Sequence, residues 1–138
     1  MKNELFRSAI RPLASAVGIS GDLLADSPEV NFGKRRIWTS DYGLLIGTLI
    51  DADGPTTLIV SFVPPECELE CAFDGSLLVS DERKIEIADG FLSVTYLLLG
   101  TQENCLNLAV FTNHPTEPDY IHIHLKTFVK VEEIIADA

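Results

Sequence analysis

Cationic side chains are scarce in this sequence. Ten Lys and Arg stand against 21 Asp and Glu in 138 residues, a net charge of −11. A surface that negative repels phosphate backbones and anionic lipid, so nucleic acid and membrane are excluded as partners. No apolar run approaches the ~20 residues of a spanning helix. The opening MKNELFRSAIRP places Glu4, Arg7 and Arg11 where a signal peptide needs an apolar block, so a cytoplasmic protein is expected. The three cysteines are Cys67, Cys71 and Cys105. On one extended strand Cys67 and Cys71 would lie ~13 Å apart, whereas a disulfide needs Cα atoms within about 7 Å. An odd number of thiols fits a reducing compartment.

Catalytic and cofactor signatures are missing too. The chain has no G-x-S-x-G, Walker loop, G-x-G-x-x-G, H-E-x-x-H, C-x-x-C or EF-hand loop. Cys105 at a strand start is the one nucleophile to weigh, and it would need His114 or His124 folded beside it. A buried, inert thiol is the commoner fate. The expectation is a protein that is not an enzyme and carries no cofactor.

What is present is apolar residue, at 46% of the chain. That is rich for one small domain spanning 1–138, and it suggests a sheet covered on both faces, a closed barrel or a homodimer interface. Charge is distributed unevenly. Residues 1–36 hold six Lys/Arg and four Asp/Glu, whereas residues 37–138 hold four and seventeen. The negative field therefore belongs to the second, strand-rich part, where it can steer a basic partner.

Arg83 to Leu99 reads as a β-hairpin with Asp89-Gly90 as a tight turn, since Asp-Gly supplies the positive φ that a type I′ turn needs. That register sets Ala88 opposite Phe91, Ile87 opposite Leu92 and Ile85 opposite Val94. One face then carries Ile85, Ile87, Leu92, Val94, Tyr96 and Leu98. Asp53-Gly54 and Asp74-Gly75 read as further hairpin turns, the latter joining Glu66–Phe73 to Ser76–Ser80. Three such turns imply an antiparallel meander.

Ahead of the strands, Leu5, Phe6, Ala9, Ile10, Leu13 and Val17 recur at helical spacing behind a capping Asn3. Pro12 would kink or break that helix. Ser20 to Ala25 suggests another helical turn, and Lys34-Arg35-Arg36 a solvated strand entry. Strands are expected at Ile37–Ser40, Leu44–Ile50 and Thr57–Val63, with Pro64-Pro65 as a corner. Cys105–Thr112 points Leu106, Leu108 and Val110 inward, and Tyr120–Val129 does so with Ile121, Ile123, Leu125 and Val129. Val131–Ala136 reads as a final helical turn. Trp38 is expected in the core. The fold class expected is α+β: an N-terminal helix, kinked or broken at Pro12, packed on a twisted antiparallel meander of about seven or eight strands that could curl into a half-barrel.

Two groups of polar residues stand out. Glu66, Glu68 and Glu70 alternate with Cys67, Leu69 and Cys71. On a strand their carboxylates point one way, ~6.8 Å apart. Folding alone does not favour that repulsion, so the readings are a charged edge that deters aggregation, a docking face for a basic partner, or a calcium or magnesium site. With Asp81, Glu82 and Glu86 they form the candidate partner-binding set. His122 and His124 are an H-x-H pair on the outward side of a strand, with His114 upstream near Glu117 and Asp119. Alternating histidines can hold one metal ion. The H-x-H resembles that of cupin-like barrels, which would expect a Glu a few residues on, where this chain has Phe128 and Val129. A metal- or small-ligand-binding barrel is thus one functional reading, and an oligomerisation module another.

In size, acidity and lack of catalytic motifs the whole chain is similar to the immunity proteins of bacterial toxin systems, which block a toxic nuclease by occluding its site. Acidic secretion chaperones share that character but usually carry a long C-terminal helix, for which this chain has no room. The resemblance implies a small cytoplasmic protein that neutralises or escorts a basic protein partner, met by Glu66, Glu68, Glu70, Asp81, Glu82 and Glu86.

Overall fold

Val17-Gly18-Ile19-Ser20 alternates apolar and small residues, and its two apolar members are almost wholly buried. That period of two is the signature of a strand with one face on a core. It recurs through the computed structural model, which describes residues 4–10, 16–22, 37–47, 56–66, 68–88, 93–114 and 118–136. The described residues form eleven strands and no helix: β1 (Glu4–Ile10), β2 (Ala16–Ser20), β3 (Ile37–Thr39), β4 (Gly43–Gly47), β5 (Thr56–Ser61), β6 (Glu70–Leu78), β7 (Lys84–Ala88), β8 (Ser93–Leu99), β9 (Cys105–Thr112), β10 (Tyr120–Leu125) and β11 (Val129–Ala136).

They build two sheets, in the orders β1-β5-β10-β9-β6 and β11-β8-β7-β2-β4-β3. One core lies between them. Leu58, Val60, Leu77, Leu106, Leu108, Val110, Ile121, Ile123 and Leu125 come from the first sheet. Val17, Ile19, Leu44, Ile46, Ile85, Ile87, Leu97, Leu99 and Val129 come from the second. The molecule is a β-sandwich, and the inward faces of β9 and β10 are those the alternation predicts.

The α+β expectation is overturned. The segment read as a helix supplies β1 at an edge of the first sheet and β2 inside the second, between β7 and β4. Pro12 falls outside the described residues. The physical reason is length: a break at Pro12 leaves pieces of one or two turns, below what an isolated helix sustains. A sheet offers each piece a ladder of hydrogen bonds along its whole length. The final helical turn is overturned likewise, because residues 129–136 pair with β8 as β11.

The meander is overturned as well. β5 and β10 pair in parallel, and β2 inserts between strands distant in sequence. Asp74-Gly75 makes no turn: β6 runs straight through it, paired with β9 from Glu70 to Leu78 with one register shift between Cys71 and Phe73. At Gly75 a Cβ would stand 3.0 Å from the tip of the Phe73 ring, a tight contact that the ring would have to ease by a small shift.

β7 and β8 do pair in antiparallel, but in another register. Ala88 faces Val94, Ile87 faces Thr95 and Ile85 faces Leu97, three residues further along β8 than a two-residue turn allows. An odd shift moves every side chain of the strand to the other face. Thr95, Leu97 and Leu99 are therefore buried with Ile85 and Ile87, while Tyr96 is half-buried and Leu98 exposed. Asp89-Gly90 and Asp53-Gly54 lie outside the described residues, as do residues 23–25 of the helical turn expected after Ser20.

Candidate functional site

The outer face of the first sheet is where the candidate residues gather. On β10, Ile121, Ile123 and Leu125 point into the core, so His122 and His124 point away from it. His122 is nevertheless buried. So are Ile59 and Ala109, its neighbours' outward residues on β5 and β9, although neither belongs to the core between the sheets. The start of the connection from β5 to β6 contacts both histidines, through Val63 at His122 and Phe62 at His124.

That connection is braced at its start by five contacts. The Ser61 hydroxyl accepts from the Val63 amide at 2.9 Å and donates to the Val63 carbonyl at 3.1 Å, which makes the turn. His122 Nε2 lies 2.9 Å from the same carbonyl. A carbonyl only accepts, so Nε2 carries a proton and is the donor. The Phe62 backbone hydrogen-bonds His124. The Phe62 ring stacks on Phe128, with centroids 5.9 Å apart and planes 13° apart. Pro64-Pro65 follows, with both φ angles held by their rings. Glu66, Glu68 and Glu70 extend from this stiffened start, all exposed.

Among the described residues none of these three carboxylates has an ion-pair or hydrogen-bond partner. The other predicted acidic residues are elsewhere. Asp81 and Glu82 are exposed beyond the far end of β6, about 25 Å along the strand from Glu70. Asp81 is engaged there: Asn104 Nδ2 donates to it at 2.9 Å, and Arg83 Nη1 donates to Asn104 Oδ1 at 3.2 Å. Arg83 holds that turn with a left-handed φ of 62°. Glu86 is half-buried on β7, on the outer face of the second sheet, opposite Ser20 and Tyr96. The same face carries Lys84, paired with Glu132 at 3.4 Å and placed over the Tyr96 ring. The six carboxylates thus divide among three places: Glu66, Glu68 and Glu70 lie close along the chain at the entry to β6, and among the described residues only Asp81 of the six has a side-chain hydrogen bond.

The histidines are also divided. His122 and His124 share a face, while His114 is exposed in the loop after β9. Among the described residues no three His, Cys, Asp or Glu side chains are grouped to hold a metal ion. Glu117 lies outside the described residues. The pKa of His124 is lowered, first by burial and then by the nearby Lys126 charge, with the Phe62 backbone bond acting in the opposite sense. Lys126 itself is paired with Asp74 at 2.7 Å. At Cys105 burial, followed by the Glu103 carboxylate, raises the thiol pKa, which reduces its nucleophilic thiolate. Trp38, expected in the core, is half-buried on the edge strand β3.

Between the acidic connection and the end of β9 opens a shallow cleft of about 620 Å³, lined by Pro64, Pro65, Glu68, Leu69, Glu70, Phe111, Thr112 and Asn113. Phe111 also meets His122 edge-on, with centroids 6.5 Å apart. The sequence reading missed this cleft. One signal was available: on a strand that points Leu106, Leu108 and Val110 inward, Phe111 is an aromatic directed outward. The other wall comes from residues some 45 positions earlier, brought close by the pairing of β6 with β9, which sets Glu70 opposite Thr112.

No known family model matches the sequence, and no curated protein is significantly similar to it. Among solved structures the chain is similar to ComJ from Bacillus subtilis, described as the inhibitor of the DNA-degrading activity of NucA. The TM-score is 0.61 and the identity 8%, over 91% of this chain and 97% of that one. A likeness at that identity is one of fold: this β-sandwich is also the architecture of a nuclease inhibitor.

Proposed function

We propose that this protein is an inhibitor, not an enzyme, that binds a basic protein in the cytoplasm in the manner of an immunity protein and occludes a nuclease-type active site. The observation that carries the reading is the set of three exposed, unpaired carboxylates, Glu66, Glu68 and Glu70, on a connection braced by His122, Phe128 and two prolines. Like charges clustered in so short a stretch repel one another, and a cationic partner relieves that repulsion. An enzyme that degrades DNA binds a polyanion and so presents cationic groups. An acidic arm is complementary to that surface while repelling the nucleic acid itself. The fold it shares with an inhibitor of DNA degradation supports the same reading.

The test begins with capture of partners from source-cell lysate on the immobilised protein at low salt, followed by purification of any basic protein retained. Added back, this protein should abolish that partner's nuclease activity at near-equimolar ratio. The association rate should fall steeply with ionic strength. Glu66→Lys/Glu68→Lys/Glu70→Lys should weaken binding by roughly a hundredfold or more, given the energies of close charge pairs across interfaces. Unchanged affinity and on-rate in that variant would remove the acidic arm from the interface.

A further inference from the structure

We infer that the cleft beside the acidic arm is an arginine pocket, which receives the guanidinium of an arginine presented by a loop of the basic partner; this rests on the inhibitor reading and names the chemistry of its contact. The polar groups of the cleft decide the matter. Thr112 Oγ1 donates to the His114 carbonyl at 3.2 Å. Asn113 is used on both sides: its Nδ2 donates to Asp119 Oδ1 at 2.6 Å, and its Oδ1 accepts from the Asp119 and Tyr120 amides, each at 3.2 Å. The side-chain groups left over are the carboxylates of Glu68 and Glu70, which only accept. An occupant must therefore bring donors and positive charge. It must also bring apolar surface, because the remaining lining is Pro64, Pro65, Leu69 and Phe111.

Both long basic side chains have an aliphatic stem that can lie on such a wall. Arginine fits better for two reasons. Its planar guanidinium stacks on an aromatic ring, which Phe111 supplies, whereas an ammonium stays strongly hydrated. Its fork of donors can also serve two carboxylates at once, with the geometric selectivity of paired charged hydrogen bonds. The cleft is shallow and its volume is ample for a loop that carries the arginine.

The probes are three peptides, acetyl-Gly-X-Gly-amide with X as Arg, Lys or citrulline, titrated into the isotopically labelled protein at low salt and followed by amide chemical shifts. The Arg peptide should shift Leu69, Glu70, Phe111 and Asn113 together. The Lys peptide should bind roughly threefold or more weakly, and the neutral citrulline peptide should leave the spectrum unchanged. Glu68→Gln/Glu70→Gln should weaken the Arg peptide about tenfold without lowering the urea midpoint, since both carboxylates are exposed. Equal response to Arg and Lys, shifts centred on Asp81 and Glu82, or no shifts at all would each overturn the pocket. With the captured partner, full affinity of the Gln variant would overturn the pocket and leave the inhibitor reading intact. Failure to find any basic partner would remove the inhibitor reading, whatever the peptides do.

Discussion

At the scale of single residues, His122 and His124 have opposite parts in holding the acidic arm. His122 donates from Nε2 to the Val63 carbonyl. His124 is held below its ordinary pKa of 6.5, chiefly by burial and then by Lys126. Between its lowered folded value and 6.5 the unfolded chain binds more protons, so the folded state loses stability as pH falls through that window. The contribution is complete above 6.5 and absent below the folded pKa. Urea midpoints at pH 7.5 and pH 5.0 check this. His124→Asn should shrink the drop between them, and a drop unchanged by the substitution would mean that other groups cause it.

At the scale of elements, β7 and β8 show how a strand pair chooses its register. The run Ser93–Leu99 carries apolar residues at both parities, so its own pattern does not choose a face. The burial of Leu97 against Ile85, and the pairing of β8 with β11 on its other side, choose it. Leu97 is 0% exposed and Leu98 is 37% exposed. Leu97→Asp should therefore cost about 4 kcal/mol or more, from a lost core side chain and a buried charge, and Leu98→Asp within about 1 kcal/mol. Denaturant melts of the two variants distinguish this register from the tight-turn register, which predicts the opposite order. Asp-Gly carries the same lesson: at 74–75 it lies within a strand, because pairing along all of β6 satisfies more backbone groups than a turn there would.

At the scale of the whole molecule, the two sheets are joined where β6 ends. The Leu78 amide donates to the Asp41 carbonyl at 2.8 Å, the Ser80 amide to the Gly21 carbonyl at 2.8 Å and the Val79 amide to the Asn104 carbonyl at 2.9 Å. This seam ties the end of β6 to the loops beside β2 and β4. Gly21 lies so close under it that a Cβ would collide with the Leu78 carbonyl oxygen. Gly21→Ala should destabilise by about 1–3 kcal/mol, because backbone must shift to admit the methyl group. Thermal melts give the size, and hydrogen exchange should show the loss concentrated at Leu78 and Ser80. An alanine variant as stable as the parent would show that the seam has room.

The residues by themselves determined what depends on local chemistry. The inward faces of β9 and β10 follow from strict alternation, and the acidity of residues 66–70 from composition. Only the tertiary structure decided that residues 4–10 and 16–20 are strands, since a helix broken at Pro12 is outweighed by ladders that form with distant partners. It alone decided which acidic residues stand together, because β6 carries Glu70 and Asp81 to opposite ends of the sheet while Asn104 and Arg83 engage Asp81. And it alone made the cleft, for Phe111 and Leu69 meet across strands whose order depends on the burial of one shared core, a property of the whole chain rather than of any stretch within it.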